Sequence, residues 1–266
     1  MADTPLLSVR DLSMRFGGLL AVDRVSMDVA PREVVSIIGP NGAGKTTVFN
    51  CISGFYRPTD GEVLFENKPM HRLPGFKIAR AGMVRTFQNV RLFKEMTVVE
   101  NLLVAQHMQA ERNLLKGLLL TRGFRRREAE LLDRAAHWLE RVGLIEFANR
   151  EAGNLAYGQQ RRLEIARCMV TQPKLLMLDE PAAGLNPNET HDLDRLIVQL
   201  KEEEGITVLL IEHDMSLVMG ISDRIYVVNQ GKPLADGTPE EVRRNPEVIK
   251  AYLGRSNAWR CWMSST

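Results

Sequence analysis

The stretch Gly39-Pro40-Asn41-Gly42-Ala43-Gly44-Lys45-Thr46-Thr47 fits the template of glycine, four residues, then Gly-Lys-Ser/Thr. An apolar run, Val34 to Ile38, stands directly before it, and a helix-compatible segment, Thr46 to Ser53, follows. Strand, glycine loop and helix in succession turn a text match into a structural statement. Gly42 and Gly44 let the backbone curl so that successive amides point inward as an anion nest. The helix that starts there adds the positive end of its dipole. Lys45 places an ammonium near the outer phosphates of a bound nucleotide, and the Thr46 hydroxyl can ligate Mg²⁺. The motif implies nucleotide binding in an α/β fold, without saying which nucleotide or for what purpose.

The 266 residues suit one large domain, or a core with a subdomain. With 44% hydrophobic and 26% charged residues there is ample material for a core. A net charge of +2 gives no electrostatic argument for a nucleic-acid partner. Cys51, Cys168 and Cys261 are far apart and form no Cys-x-x-Cys pair, which argues against a disulfide framework or a zinc site and fits a reducing compartment. Met1 to Ser8 has no apolar run of signal-peptide length. No stretch reaches the roughly 18 apolar residues of a membrane span. Leu114 to Leu120 comes nearest, and Lys116 and Gly117 interrupt it. Work at a membrane would therefore go through a partner.

Along the chain, Leu6–Val9 and Val25–Val29 read as strands, with Phe16 beside the turn Gly17-Gly18. Glu62–Phe65 and Met83–Phe87 are further short strands, with a brief helix at Phe76–Arg80 between them. Thr97, with Glu100 three residues on, is a capping box that opens a helix. From there to about Gly143 the pattern is helical, in two amphipathic runs, Val98–Gln109 and Arg125–Val142. The cluster Arg125-Arg126-Arg127 reads as a solvated helix face. Gly158–Cys168 is helical, Leu175–Leu178 is a strand buried on both faces, and Asn188–Glu203 is a helix. Val208–Ile211 is another buried strand. Ile225–Val228 and Pro233–Ala235 form a hairpin around Asn229-Gln230-Gly231, and Pro239–Leu253 is a helical tail. Beyond Gly254 the chain is polar and patternless.

Asp179 and Glu180 end a buried strand, and in open α/β sheets that edge is where ligands bind. One carboxylate there can hold Mg²⁺ through water, while its neighbour polarises an attacking water. His213 ends a second buried strand, within reach of a γ-phosphate, and Gln88 ends a third, within reach of metal or water. Each is weak alone; together they converge on one sheet edge.

In order, the P-loop, Gln88, Leu155-Ala156-Tyr157-Gly158-Gln159, Leu175 to Glu180, Gly184-Leu185-Asn186 and His213 resemble the ATP-binding cassette (ABC) superfamily over Leu6 to about Gly254. The segments Asn154–Arg167, Asp179–Asn186, Ile211–Met215, Ile221–Gly231 and Ala251–Gly254 are similar to the LivG-type cassettes of branched-chain amino-acid importers. The resemblance implies a P-loop ABC nucleotide-binding domain with a RecA-like core, an N-terminal antiparallel β subdomain and an inserted α-helical subdomain. Residues 1–88 and 160–254 would be the catalytic core, 89–159 the helical subdomain with the signature loop, and 255–266 a disordered tail. It implies that Phe16 stacks on adenine and that Gly39 to Thr47 hold the phosphates of ATP. It also implies that Thr46, Gln88 and Asp179 serve the Mg²⁺, that Gln88 senses the permease, and that Glu180 is the catalytic base, with His213 and Lys45 beside it. Leu155, Ala156, Tyr157, Gly158 and Gln159 would complete the ATP site of the opposite subunit.

The implied function is ATP hydrolysis for branched-chain amino-acid import. The implied partners are transmembrane permease subunits, a sister ABC ATPase and, indirectly, a periplasmic substrate-binding protein, with no nucleic acid. The implied place is cytoplasmic, on the inner membrane face. Three positions depart from the superfamily pattern. Ala156 and Tyr157 stand where Ser and Gly are usual, and Asn186 where Asp is usual. Ala156 has no hydroxyl for a γ-phosphate, which suggests a heterodimer with unequal sites; a homodimer stays open. Rival readings are a cassette for another cargo such as lipopolysaccharide export, a soluble ABC regulator, and a generic P-loop kinase or GTPase. The regulator usually carries tandem cassettes or long coiled coils, which this chain lacks. The signature segment argues against the kinase or GTPase.

Overall fold

The computed structural model describes residues 4–88, 90–106 and 122–253. Contacts divide the chain into two units: one comprises the chain up to Gln88 and from Lys174, the other is Asn89–Pro173.

The first unit holds two sheets. The smaller is antiparallel, in the order β2-β1-β4-β5, built from β1 (Leu7–Phe16), β2 (Leu19–Val29), β4 (Asp60–Phe65) and β5 (Lys68–Pro69). The larger runs β10-β9-β3-β8-β7-β6, from β3 (Val34–Ile38), β6 (Met83–Arg85), β7 (Leu175–Asp179), β8 (Thr207–Ile211), β9 (Arg224–Asn229) and β10 (Lys232–Gly237). All its pairings are parallel except that of β9 with β10. In β3, β7 and β8 every residue is buried, as continuous apolar runs in a sheet covered on both faces require.

β1 and β2 are longer than the alternation in sequence suggests. The pairing slips between Val9 and Leu12 and again before Met14, and Asp11 and Arg24 take left-handed φ of 45° and 50°. Such bulges add a residue and reverse the in–out pattern, which hid the continuation to Phe16. The turn expected at Gly17-Gly18 joins the two strands.

Helix α1 (Lys45–Ile52) follows the glycine loop, and α2 (Gly75–Arg80) precedes β6. One buried cluster unites Leu7, Val9 and Leu12 of β1, Val63 and Phe65 of β4, Phe49 and Ile52 of α1, and Leu209 and Ile211 of β8. Both sheets thus share a core with the loop's helix, and truncating a buried phenylalanine such as Phe49 costs about 3–5 kcal/mol. Tyr226 of β9 locks the sheets together polarly: its hydroxyl accepts from Asp28 N and donates to Asp28 O, both at 3.0 Å.

The second unit is helical, with α3 (Val98–Ala105), α4 (Arg122–Arg141) and α5 (Tyr157–Met169). The Thr97 capping box forms as expected, Thr97 Oγ1 accepting from Glu100 N while Glu100 Oε2 accepts from Thr97 N at 2.8 Å. Arg125 to Glu130 are exposed, and Arg126 pairs with Glu130 one turn on at 3.1 Å, as a solvated face should. The end of the run expected over Val98–Gln109, and Leu114–Leu120, lie outside the described residues.

The chain then returns to the first unit through α6 (Pro187–Glu202), α7 (Met215–Ile221), α8 (Pro239–Arg244) and α9 (Pro246–Leu253). The tail expected as one helix is two. Asn245, with φ −73° and ψ 117°, is extended because Pro246 disfavours helical geometry in the residue before it. The disordered tail expected at 255–266 lies outside the described residues.

Cys51 and Cys168 are buried, and burial pushes both thiols up to about 12. At pH 8 the thiolate fraction of such groups is about 10⁻⁴. Iodoacetamide should therefore label neither cysteine in the folded protein, and both after denaturation, as read by peptide mass spectrometry. Rapid native labelling of either would contradict the packing described.

Candidate active site

The site forms where the strands of the larger sheet end. β3 delivers the chain to Gly39, whose φ is 155° and whose added Cβ would lie 2.0 Å from Val228 O, so no side chain fits there. Pro40 is half-buried, Asn41 and Gly42 are exposed, and Ala43 is buried. Gly44 takes φ 100°, and a Cβ there would meet Ala21 O at 2.8 Å. These are the left-handed positions a curled loop needs. α1 then begins at Lys45, with Thr46 exposed and Thr47 half-buried in its first turn.

An open cleft of about 470 Å³ lies over this loop, lined by Leu19, Leu20, Ala21, Gly42 to Thr47, Gln230 and Gly231. Phe16 does not line it. Its ring stands at the end of β1, edge-on to Tyr56 at 5.3 Å, and 41% exposed. The apolar residues facing the cleft are instead Leu19 and Leu20, just across the turn.

Lys45 is buried, and its ammonium folds over its own loop, donating to Gly39 O at 2.7 Å and Pro40 O at 3.2 Å. Burial lowers its pKa, and the charge of Glu180 acts in the opposite sense. Backbone carbonyls are weak partners for a buried ammonium, so an anionic phosphate in the cleft would be a better one.

The carboxylates sit opposite. Asp179, the last residue of β7, is buried and bridged to Arg85 at 2.6 Å. Glu180 follows with φ 46°, a strained backbone for a side chain without glycine's freedom. Its Oε2 accepts from Gln88 Nε2 at 2.9 Å, and its Oε1 lies 3.9 Å from His213 Nδ1. Gln88, Glu180 and His213 are thus brought together, with Asp179 adjacent in the chain and Lys45 close enough to feel the charge of Glu180.

Sequence reasoning passed over Glu212. It is 1% exposed, its Oε1 accepts from Ala182 N at 2.8 Å, and its Oε2 accepts from His213 N at 3.0 Å. Burial raises its pKa, and those backbone amides oppose the rise. It fixes the two loops that carry Glu180 and His213. The available signal was a carboxylate directly following the buried apolar run Val208–Ile211. Arg85 was also passed over; its signal was a cation in a strand three residues before Gln88.

Among the described residues no three His, Cys, Asp or Glu side chains gather as a preformed metal site. The donors present, the Thr46 hydroxyl, the Gln88 amide and the Asp179 carboxylate, are hard oxygen ligands. They suit Mg²⁺ held jointly with phosphate oxygens.

The Leu155–Gln159 segment stands in the helical unit at the start of α5. Gln159 Oε1 accepts from Ala156 N at 3.0 Å, but Ala156 has no side-chain oxygen to return the bond, leaving half a capping box. Tyr157 is exposed, its ring 5.6 Å from the Arg161 guanidinium, while Leu155 and Gly158 are buried. Asn186, the other departure, caps α6. Its Oδ1 accepts from Asn188 N and Glu189 N at 3.0 Å, and Glu189 Oε2 accepts from Asn186 N at 3.0 Å. Asn and Asp serve about equally well as N-caps, so the fold tolerates this change.

Residues 22–183 match the family model of the ABC transporter, and 232–257 that of the branched-chain amino acid ATP-binding cassette transporter. The chain is 68% identical to the high-affinity branched-chain amino acid transport ATP-binding protein LivG of Escherichia coli K12, across 95% of this chain and 99% of that one. Its fold is similar to the ADP conformation of MJ1267, an ATP-binding cassette of an ABC transporter. The TM-score is 0.82 and the identity 36%, over 95% of this chain and 100% of that one. It is also similar to the dimeric, post-hydrolysis cassette MJ0796 bound to ADP and Pi, with a TM-score of 0.72 and 25% identity over 88% and 98% of the two chains. Glycine loop, strand-end carboxylates and relatives agree: this chain belongs to the ABC transporter family as one of its ATP-hydrolysing, nucleotide-binding cassettes, in the LivG-type group.

Proposed function

We propose that this cassette powers high-affinity import of branched-chain amino acids. The observation that carries the cargo is the 68% identity to LivG over nearly the whole chain, together with the match of 232–257 to the branched-chain amino acid model. The cleft over the loop suits a triphosphate, and no described helix is long and apolar enough to cross a membrane. By its likeness to LivG it would work as a peripheral subunit on the inner face of the membrane, against transmembrane permease subunits that receive cargo from a periplasmic binding protein.

In this reading the amides of Gly42 to Thr46 and the start of α1 bind the phosphates, and Lys45 leaves its own carbonyls for the outer ones. Thr46, Gln88 and Asp179 would hold Mg²⁺ together with the nucleotide, and the ion would supply charge neutralisation at the phosphates. Glu180 polarises the attacking water, and Gln88 and His213 hold that carboxylate and face the γ-phosphate. Two cassettes close head to tail over ATP, because each nucleotide adds contacts to both and so favours the closed state. Leu155 to Gln159 of each would complete the site on the other.

Ala156 favours a heterodimer. This chain's loop and carboxylates would pair with a sister cassette's serine-bearing signature to make the stronger hydrolytic site, and its own signature would serve the weaker one.

The test is complementation in a bacterial strain lacking high-affinity branched-chain uptake but retaining the other transporter subunits. The gene should restore radiolabelled leucine, isoleucine and valine uptake, and tagged protein from detergent-solubilised membranes should bring down the permease and a sister ATPase. Co-purification with a permease of unrelated cargo, with no uptake restored, would overturn the cargo assignment.

A further inference from the structure

The segment Arg85–Gln88 touches both carboxylates at the end of β7. Gln88 holds Glu180 at 2.9 Å, and Arg85 holds Asp179 at 2.6 Å. The Arg85 contact is the more elaborate. The guanidinium also donates to Asn50 Oδ1 at 2.6 Å and to Ser53 Oγ at 2.8 Å, at the far end of α1 from the glycine loop. It lies 4.9 Å from the centroid of Phe49 and 5.3 Å from that of Phe87, so two aromatic faces flank it. A planar cation with several donors is what such a seat requires, and a lysine cannot fill it. The pair is almost sealed from water, with the two side chains 10% and 6% exposed. The positive charge also faces the carbonyl end of α1, where its dipole favours a cation.

We propose that Arg85 is a positioning residue for the metal-side carboxylate. It keeps Asp179 aimed at the cation, and its grip on the end of α1 ties that aim to the helix whose other end holds the phosphates. Asp179 cannot turn without disturbing Asn50, Ser53 or the guanidinium between the two rings. One four-residue segment therefore sets both the metal-side and the water-side carboxylate. The inference rests on Asp179 serving the Mg²⁺, as in the function proposed above.

The experiment compares wild type, Arg85→Lys, Arg85→Met and Asp179→Asn in the full chain. Binding of a fluorescent ADP analogue is measured without metal and across a Mg²⁺ titration, alongside ATP turnover and thermal melting. Metal-free ADP affinity should be unchanged within about twofold in the Arg85 variants, since the phosphate-binding loop is untouched. The Mg²⁺ concentration giving half the metal-dependent gain in affinity should rise about tenfold or more in Arg85→Met, and less in Arg85→Lys, which keeps the charge but loses the planar fork. Such ratios follow the scale of losses seen when groups that orient metal ligands are removed, about 10–100-fold. Arg85→Lys guards against failure of Arg85→Met to fold. A fall in melting temperature with an unchanged Mg²⁺ midpoint in both Arg85 variants would overturn the proposal and leave Arg85 a structural clamp. An unchanged midpoint in Asp179→Asn would instead remove the underlying assignment of Asp179.

Discussion

Glu180→Gln should lower ATP turnover of the assembled transporter by about 10²–10⁴-fold, the range for losing a positioned general base. Nucleotide binding should persist, because the glycine loop and helix start that would hold the phosphates are left unchanged. The amide keeps the shape of the carboxylate and can still face Gln88, but it cannot take a proton from water. The closed dimer should therefore accumulate with ATP, visible as a shift to larger mass in size-exclusion chromatography. If the proposed heterodimer forms, the change should hurt more here than at the matching glutamate of the sister chain. Full transport ATPase with Glu180→Gln, and none with the sister's change, would reverse the assignment of the strong site.

Lys45→Ala should act earlier, on binding as well as turnover. It removes a buried cation that now donates to the carbonyls of Gly39 and Pro40 and feels the charge of Glu180. Loss of a preorganised charge aimed at a developing anion costs about 10²–10³-fold in rate. ADP affinity should fall too, unlike in Glu180→Gln, and a fluorescent-nucleotide titration separates the two. The burial that depresses the Lys45 pKa adds a pH signature. The lysine is charged below its pKa, and that pKa is lower than in an ordinary lysine. Nucleotide affinity of the free cassette should therefore decline with rising pH earlier than the usual 10.5 would dictate. Lys45→Arg should remove that alkaline limb, since arginine keeps its charge throughout. An alkaline limb identical in wild type and Lys45→Arg would assign it to another group.

Much of this architecture is legible in the chain, for identifiable reasons. Val34–Ile38, Leu175–Asp179 and Thr207–Ile211 are buried throughout and mostly apolar because they lie mid-sheet with both faces covered. A chain that leaves such a strand must present whatever follows to the sheet edge, so Gly39, Glu180 and His213 could be gathered from text alone. The β1–β2 hairpin was half hidden because bulges at Asp11 and Arg24 break the period that reveals a strand. Arg85 and Glu212 escaped because their work is done across space. Arg85 meets Asn50, Ser53 and Asp179, 94 positions apart from the last, and no local pattern encodes that meeting. Phe16 stands where the motif order puts it, but which way a ring turns at a strand end depends on neighbours such as Tyr56.

The left-handed backbone at Glu180 carries a cost of its own. A side-chain-bearing residue held there costs on the order of 1–3 kcal/mol, which glycine would largely relieve. Selecting this cassette for heat resistance alone would thus reward erosion of the very position on which turnover depends. Thermostable variants from such a screen should be sequenced at codon 180 before they are trusted as pumps.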